Sequence, residues 1–397
     1  MNRDGAVGNL LAPVNLEEFF RSHWQKNPLH IRRADPQRNS HFLSLAELDT
    51  YFQLGNLSPA FLRVINDATD YDLDSWTKVD KRENTGPYRV VDVDKLLALF
   101  SRGASIIINA AHTAIPSLAR ACAALEIELQ TRLQPNIYLT PPRAVSFGYH
   151  YDSHDVFVLQ LSGEKEWSLY DAPGNLEQSC DSNSYVNKQP QHKFELKPGD
   201  VLYVPRFTVH HVRSLEAASV HITLAVMSKY WSNLVEELGR SLATDKVFSQ
   251  ALPHGLSSGA ERAAFAGEFQ KGLQEVVARL DVEELLGHLQ SDFVRTHTID
   301  RGSRFTDLLQ LDQLGLDSQV SLRPGMIWQT RQDANEIEIS FSNGQLRIPS
   351  FMTDTLKLML RSEPYAVRDL SGPISDSGKV ELVKNFLRAG LLRIEAL

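Results

Sequence analysis

One short stretch gathers residues able to hold a metal: Phe147-Gly148-Tyr149-His150-Tyr151-Asp152-Ser153-His154-Asp155. Residues i and i+2 of a strand face the same way, so an extended reading sets the His150 imidazole beside the Asp152 carboxylate. A third ligand comes from Pro205-Arg206-Phe207-Thr208-Val209-His210, 58 residues after Asp152. Two imidazoles and one carboxylate on one face of an ion leave further positions open, an arrangement suited to non-haem Fe(II). Open positions are what a chelating 2-oxo acid and O2 need. A bare His-x-Asp pair more often marks surface or hydrogen-bonded histidines. The Pro198-Gly199-Asp200 turn, and the strand it launches toward His210, move the reading to a metal site. His154 and His211 adjoin the trio and are read as flanking or substrate-side residues.

Lys165 is the second anomaly. In Glu164-Lys165-Glu166-Trp167-Ser168-Leu169-Tyr170, alternation puts Lys165 on the face of Trp167 and Leu169. A lysine facing an interior is costly unless an anion pairs with it. The distal carboxylate of 2-oxoglutarate is such an anion, and an ammonium is a compact donor for it. The alternatives are an ion pair with a nearby acid or a side chain that snorkels outward.

The elements that must position these groups are short strands. The sequence predicts strands at Asn136–Leu139, Tyr149–Leu161, Glu164–Tyr170, Phe194–Leu196, Val201–Val204 and His221–Met227. Turns at Pro141-Pro142-Arg143, Ser162-Gly163, Ala172-Pro173-Gly174 and Lys197-Pro198-Gly199-Asp200 separate them. Many short strands at this spacing predict a small double-sheet barrel. Before it, Leu16, Phe19, Phe20 and Trp24 recur at helical spacing after Asn15, a candidate cap. Leu29-His30-Ile31 reads as a strand, and Ser44 to Glu47 has capping-box spacing, with Leu45, Leu48, Tyr51 and Phe52 as the helix's apolar face. Residues 70–88 read as a polar surface loop. Val93–Phe100 and Ser117–Leu133 read as helices around the strand Ile106-Ile107-Ile108. After Ser228, Trp231–Leu242, Ala260–Leu280 and Val282–Val294 have helical periodicity. The last stretch holds an alternating run, Glu336–Phe341, then Asn343-Gly344, a hairpin signal. Helices at Thr353–Arg361 and Ser377–Ala389 and a strand Leu391–Ile394 complete a winged-helix-like set.

At 397 residues the chain exceeds the size at which one core stops growing, roughly 250–300 residues. The expected division is a catalytic domain over 1–228, a helical dimerisation region over 229–300 and a winged-helix-like module over 301–397. The fold class is mainly β at its centre and α+β overall. Net charge is −8, which shows no bias toward nucleic acid and fits a basic protein partner. The basic residues of the last module are interspersed with acids, so no direct nucleic-acid contact is expected. Two cysteines, Cys122 and Cys180, make no disulfide framework; they leave one possible bridge or two thiols of a reducing compartment, and the thiols are the favoured reading. The N-terminus has no basic segment leading into a long apolar run, and the apolar stretches are strand-sized. A cytoplasmic protein with no membrane span is expected.

The motifs resemble a known family. Phe19-Phe20, Trp24, Pro28-Leu29 and Ile31, then Asn136, Tyr138 and Thr140-Pro141, then His150-Tyr151-Asp152, Asp155 to Gly163, Lys165 and Trp167, then Pro198-Gly199-Asp200, Pro205-Arg206, His210, His221 and Thr223 are similar to the JmjC-type ribosomal oxygenases. The order of parts matches too, so the resemblance covers nearly the whole chain. It implies a JmjC/cupin double-stranded β-helix and an Fe(II)- and 2-oxoglutarate-dependent hydroxylase that uses O2. His150, Asp152 and His210 would bind iron and Lys165 the 2-oxoglutarate carboxylate, while Asn136, Tyr138, His221 and Thr223 match pocket positions. The implied substrate is a protein side chain, as in a ribosomal protein. A lysine at 165 resembles the branch that hydroxylates histidine. Phe207 departs from the pattern, which usually has glycine after Pro-Arg, and a bulky side chain there reshapes the pocket mouth. Two other readings compete: a hydroxylase of a biosynthetic peptide or free amino acid, and a non-catalytic metal-binding or nucleic-acid-binding protein.

Overall fold

Local sequence sets the first elements of the computed structural model, which describes residues 5–54, 57–82, 86–172, 184–254, 259–299, 302–342 and 344–397. After α1 (Ala6–Leu11), the Asn15 side chain caps α2 (Leu16–Ser22) by accepting from the N–H groups of Glu17 and Glu18. Strand β1 is Leu29–Ile31. Ser44 and Glu47 close a capping box on α3 (Leu45–Gln53). Leu48 and Tyr51 are buried there, whereas Leu45 points to solvent.

Strands β2 (Leu62–Asn66) and β3 (Thr69–Asp70) precede an unexpected ribbon, β4 (Thr77–Arg82) paired with β5 (Gly86–Val91). The polar composition of 70–88 hid this ribbon. It buries Trp76, Thr77, Val90 and Val91 while much of its remaining surface is exposed. Helix α4 (Val93–Ser101), strand β6 (Ser105–Ile108) and helix α5 (Pro116–Leu129) follow. Helix α5 stops short of Leu133 because Gln130 adopts a left-handed conformation, φ 52°.

The barrel strands are β7 (Arg132–Thr140), β8 (Asp155–Ser162), β9 (Lys165–Tyr170), β10 (His192–Leu196), β11 (Val201–Val204), β12 (Val209–Ser214) and β13 (Ser219–Met227). An eight-stranded sheet runs β1-β11-β8-β13-β7-β6-β2-β3, and a three-stranded sheet, β10-β9-β12, supplies the second layer. All the pairings are antiparallel. This is a double-stranded β-helix with flanking helices. Gly163 (φ 63°) and Gly199 (φ 93°) make two of its turns. A Cβ on either would lie 2.1 Å from a backbone oxygen, of Ala218 or Asp35 respectively, so both turns require glycine. Pro173, Gly174 and Cys180 lie outside the described residues; Cys122 is a buried free thiol.

Side-chain alternation then decides what faces inward. From β7, β8 and β13, the residues Ile137, Leu139, Phe157, Leu159, Ile222 and Leu224 join a core against the helices. Val156, Val158 and Ala225 point the other way and meet Trp167 and Leu169 of the smaller sheet. Asn136, Tyr138, His221 and Thr223 share that inner face by register. Burial on both faces makes β8 an almost unbroken apolar run.

Beyond the barrel lie α6 (Trp231–Leu242), α7 (Gly259–Arg279) and α8 (Val282–Thr296). The last elements are α9 (Arg304–Leu309), β14 (Gln319–Leu322), β15 (Trp328–Gln332), β16 (Glu336–Phe341), β17 (Gly344–Pro349), α10 (Thr353–Met359), β18 (Tyr365–Ala366), α11 (Asp376–Ala389) and β19 (Leu392–Ala396). Two sheets, β18-β14-β19 and β15-β16-β17, enclose a second core around Val320, Phe341, Met359 and Phe386. Gly344 pairs with Phe341, so it already belongs to β17 rather than to the turn, and Asn343 lies outside the described residues. Glu126 of α5 ties the barrel side to this half. It accepts from Leu133 N–H, Thr298 N–H and the Thr298 hydroxyl, and sits 2.8 Å from His297 Nδ1, with both side chains fully buried.

Candidate metal centre and its pocket

His150 is not on a strand. Residues 149–154 form a loop in which only His150 is bridged, to His210. The strand-based reason for pairing His150 with Asp152 is therefore corrected: two backbone hydrogen bonds place His150. Its N–H donates to His210 O (3.2 Å), and His210 N–H donates to His150 O (2.8 Å). His210 lies on β12, an element the sequence reading left out because His210-His211 interrupts the alternation. Asp152 is set by a third bond, from Phe207 N–H to its carbonyl (2.7 Å).

The trio converges. One ligand atom from each of His150, Asp152 and His210 lies within 4.8 Å of the others, the group able to hold an ion among the described residues. Asp152 Oδ2 and His210 Nε2 are 3.8 Å apart. Donors at right angles with bonds of about 2.1 Å sit about 3 Å apart, so the trio would close slightly on an ion. The second layer fits the same purpose. The Nδ1 atoms of His150 and His210 lie 2.9 Å from Gly148 O and 3.0 Å from Thr208 O. These bonds fix each Nδ1 as the protonated nitrogen and leave both Nε2 lone pairs free. Burial, reinforced by His150, lowers the His210 pKa to about 4, which keeps the imidazole neutral as a ligand must be. Trp167 stacks on His210 with centroids 5.6 Å apart.

Lys165 faces inward, as its alternation predicts, at 2% exposure. Its Nζ donates to Thr140 Oγ1 (2.7 Å). Burial alone pulls its pKa from 10.5 to about 7, so no neighbouring acid compensates the charge. Both alternatives, an internal ion pair and an outward curl, are absent among the described residues. Thr140, which follows Asn136 and Tyr138 at alternate positions of β7, holds the ammonium from behind the pocket. Ser146 and Phe147, which also line the pocket, lie in a loop with no sequence pattern to expose them.

The four remaining residues line the same pocket. The Tyr138 hydroxyl meets Thr223 and Asn136, and burial raises its pKa to about 12. His221 stacks on Tyr138 with centroids 4.7 Å apart. Burial and the neighbouring Lys165 push its pKa well below the usual value, so it is a neutral wall. The Asn136 side chain accepts from Ala110 N–H (3.0 Å). His154 also lines the pocket, whereas His211 stacks on Tyr149 at 4.8 Å. Phe207 adopts φ 63°, the left-handed region that glycine enters freely and a bulky residue rarely does. Its ring packs against Tyr151 and under the Arg206 guanidinium, which also lies 4.0 Å from the Tyr230 ring centre.

A two-layer antiparallel barrel with a His-Asp-His trio and a buried lysine defines a JmjC-type domain, and a JmjC domain model matches residues 109–234. The chain carries a JmjC domain and is similar to ribosomal oxygenases along most of its length. It is 27% identical to ribosomal oxygenase 2 of Bos taurus over 430 residues, covering 98% of this chain and 91% of that protein. It is 29% identical to the bifunctional lysine-specific demethylase and histidyl-hydroxylase NO66 of Drosophila willistoni over 291 residues, 68% of this chain and 36% of that protein. The Aedes aegypti NO66 is 26% identical over 88% of this chain, which spans 54% of its length. The chain thus spans about a third to a half of these NO66 proteins. Among solved structures, YcfD, a ribosomal oxygenase from Escherichia coli in complex with cobalt and 2-oxoglutarate, shares the fold with a TM-score of 0.53 at 16% identity, covering 97% of this chain and 99% of that one. No helix of the described residues is long and apolar enough to cross a membrane.

Proposed function

We propose that the chain is an Fe(II)- and 2-oxoglutarate-dependent oxygenase that hydroxylates a side chain of a protein, a ribosomal protein being the favoured substrate class. The observation that carries this reading is a three-ligand cluster beside a fully buried lysine without an acid partner. A structural lysine would be paired, whereas one reserved for an anionic co-substrate need not be. The YcfD complex with cobalt and 2-oxoglutarate and the histidyl-hydroxylase named among the relatives support it.

When bound, iron and 2-oxoglutarate supply dioxygen activation coupled to oxidative decarboxylation of the 2-oxo acid. The protein's own work is positioning. His150 and His210 present Nε2 lone pairs because Gly148 O and Thr208 O hold their Nδ1 protons. Asp152 adds the anionic oxygen. Lys165 receives the distal carboxylate, with Thr140 steadying the ammonium. Tyr138, Asn136 and Thr223 form a hydrogen-bonded wall, and Trp167 and Phe147 keep water from the reacting side.

We read residues 229–300 as a dimerisation region. On α6, Trp231 is 88% exposed and Val235, one turn on, 68%, apolar surface that a second copy would cover. Residues 1–228 form the catalytic unit and 301–397 a winged-helix-like module. The compartment we assign is the cytoplasm, where Cys122 stays a thiol.

The test is succinate release from 2-oxoglutarate in the presence of Fe(II) and ascorbate, wild type against His150→Ala. Release by the wild type alone supports the reading, and equal release or none removes it. A +16 Da shift on ribosomal proteins rather than on free amino acids fixes the substrate class.

A further inference from the structure

A short hairpin at the far edge of the large sheet leans on the metal pocket. Strands β2 and β3 pair through Ile65 with Asp70 and Asn66 with Thr69. The two residues between them, Asp67 and Ala68, are both left-handed, with φ 45° and 61°. That is the backbone of a tight two-residue hairpin turn, which ordinarily takes Asn-Gly or Gly-Gly, and alanine enters it only at a cost. The turn aims the Ala68 N–H at the carbonyl of Ser146, 3.2 Å away. Ser146 and the next residue, Phe147, both line the pocket of Lys165 and the metal cluster. Backbone strain is therefore spent on docking the hairpin against a pocket loop.

Phe147 is the pocket wall on the hairpin's side. Its ring centre lies 5.3 Å from that of His150 and 6.4 Å from that of Tyr138. The Arg63 guanidinium of β2 lies over the same ring, 4.9 Å from its centre. Arg63 in turn donates to both carboxylate oxygens of Asp70 on β3, with Nη2 to Oδ2 at 2.8 Å. The Arg63 and Asp70 side chains are 44% and 54% exposed. Phe147 thus touches a metal ligand and a cation that reaches solvent, so it stands between the cluster and the surface. A guanidinium forked by a carboxylate is fixed in its plane and offers a flat face to the ring, which a lysine ammonium cannot do.

We propose that Phe147 gates the metal pocket and that Arg63 is a positioning residue that holds the gate shut, so that the β2–β3 hairpin governs how long metal and co-substrate stay bound. The co-substrate part rests on the oxygenase reading, and the metal part rests on the His150, Asp152 and His210 cluster alone.

The test compares Arg63→Met, which removes the charge and the fork, Arg63→Lys, which keeps the charge without the fork, and Phe147→Ala, which removes the wall. Arg89→Met breaks another exposed pair, with Asp74, and serves as the control. Two release rates are read on the full chain without oxygen. One is loss of Co(II), standing in for Fe(II), to excess EDTA, followed by cobalt absorbance. The other is loss of radiolabelled 2-oxoglutarate from the Fe(II) complex under an unlabelled chase. Phe147→Ala should speed both about tenfold or more. Both Arg63 variants should speed them about fivefold, the worth of one exposed cation–π contact, and Arg89→Met less than about twofold. Release from Phe147→Ala as slow as from wild type means there is no gate. Fast release from Phe147→Ala with wild-type rates in both Arg63 variants means the hairpin does not hold it. Either result, or a control as fast as Arg63→Met, overturns the proposal. A wild type that holds Co(II) but binds no 2-oxoglutarate defeats the oxygenase reading, and the Co(II) rates still decide the gate. A wild type that takes up no Co(II) overturns both.

Discussion

Lys165→Met should stabilise the protein while destroying co-substrate binding. Lys165 is fully buried with a pKa pulled from 10.5 to about 7. At about 1.36 kcal/mol per pH unit, holding the ammonium form in the fold costs on the order of 5 kcal/mol. Because the folded-state pKa lies below the unfolded one, that cost is complete below pH 7, shrinks between pH 7 and 10.5 and vanishes above. Methionine matches the side chain in length and carries no charge. Removing the cost should raise the melting temperature by several degrees at pH 6.5, less a small loss from the Thr140 hydrogen bond. By pH 9.5 the gain should fall to about 1.5 kcal/mol. The assay is calorimetric unfolding of metal-free protein at the two pH values. In parallel, 2-oxoglutarate should bind the wild type more weakly at pH 8 than at pH 6.5, because the lysine with its lowered pKa loses its proton as pH rises. The methionine variant should bind it at least about 30-fold more weakly at pH 6.5, the loss of one buried charged partner. A variant that melts lower at both pH values, or one that binds 2-oxoglutarate as the wild type does, would refute the assignment of Lys165 as a cation held for an anion.

Other expectations follow from individual contacts. Glu126→Ala leaves His297, Thr298 and the Leu133 N–H without their buried acceptor, so chemical denaturation should show a loss of about 3–5 kcal/mol. A loss below about 1 kcal/mol would mean that water replaces the carboxylate. Phe207→Gly relieves a left-handed backbone by about 1–2 kcal/mol and gives up ring contacts with Tyr151 and Arg206. Its stability should therefore change by less than about 1 kcal/mol, and a drop beyond about 3 kcal/mol would make the ring an anchor of the loop. Trp231→Glu puts a charge on the exposed face of α6, and sedimentation should show a dimeric wild type becoming monomeric. A wild type that sediments as a monomer disposes of the dimerisation region.

The barrel was readable because its strands alternate. On β7 and β13 the pocket groups alternate with apolar residues that pack against the helices, and on β9 Lys165, Trp167 and Leu169 alternate with the outward Glu166 and Ser168. Lys165 stood out for the same reason, as an ammonium in an inward position. The loop at 149–154 was legible only by composition. His150 and Asp152 converge through backbone bonds to His210 and Phe207, which no periodicity announces. Strand β12 escaped notice because His210-His211 breaks the polar–apolar rhythm, although the metal cluster depends on it. The ribbon β4–β5 escaped because its exposed residues give 70–88 the composition of a loop. The end of α5 turned on one left-handed residue, Gln130, a type that seldom signals a stop. The cleft between the start of β7 and α8 lay beyond any sequence reading, since it joins residues from 130 to 296 that meet only through tertiary packing.

Adjacent histidines offer the most direct test of the metal cluster. His210 points its Nε2 toward Asp152 inside the barrel, and His211, one residue on, stacks outside against Tyr149. Anaerobic equilibrium dialysis of Fe(II) should find one ion per chain in the wild type and in His211→Ala, and none in His210→Ala. Retention of the ion by His210→Ala, or its loss from His211→Ala alone, would contradict the account.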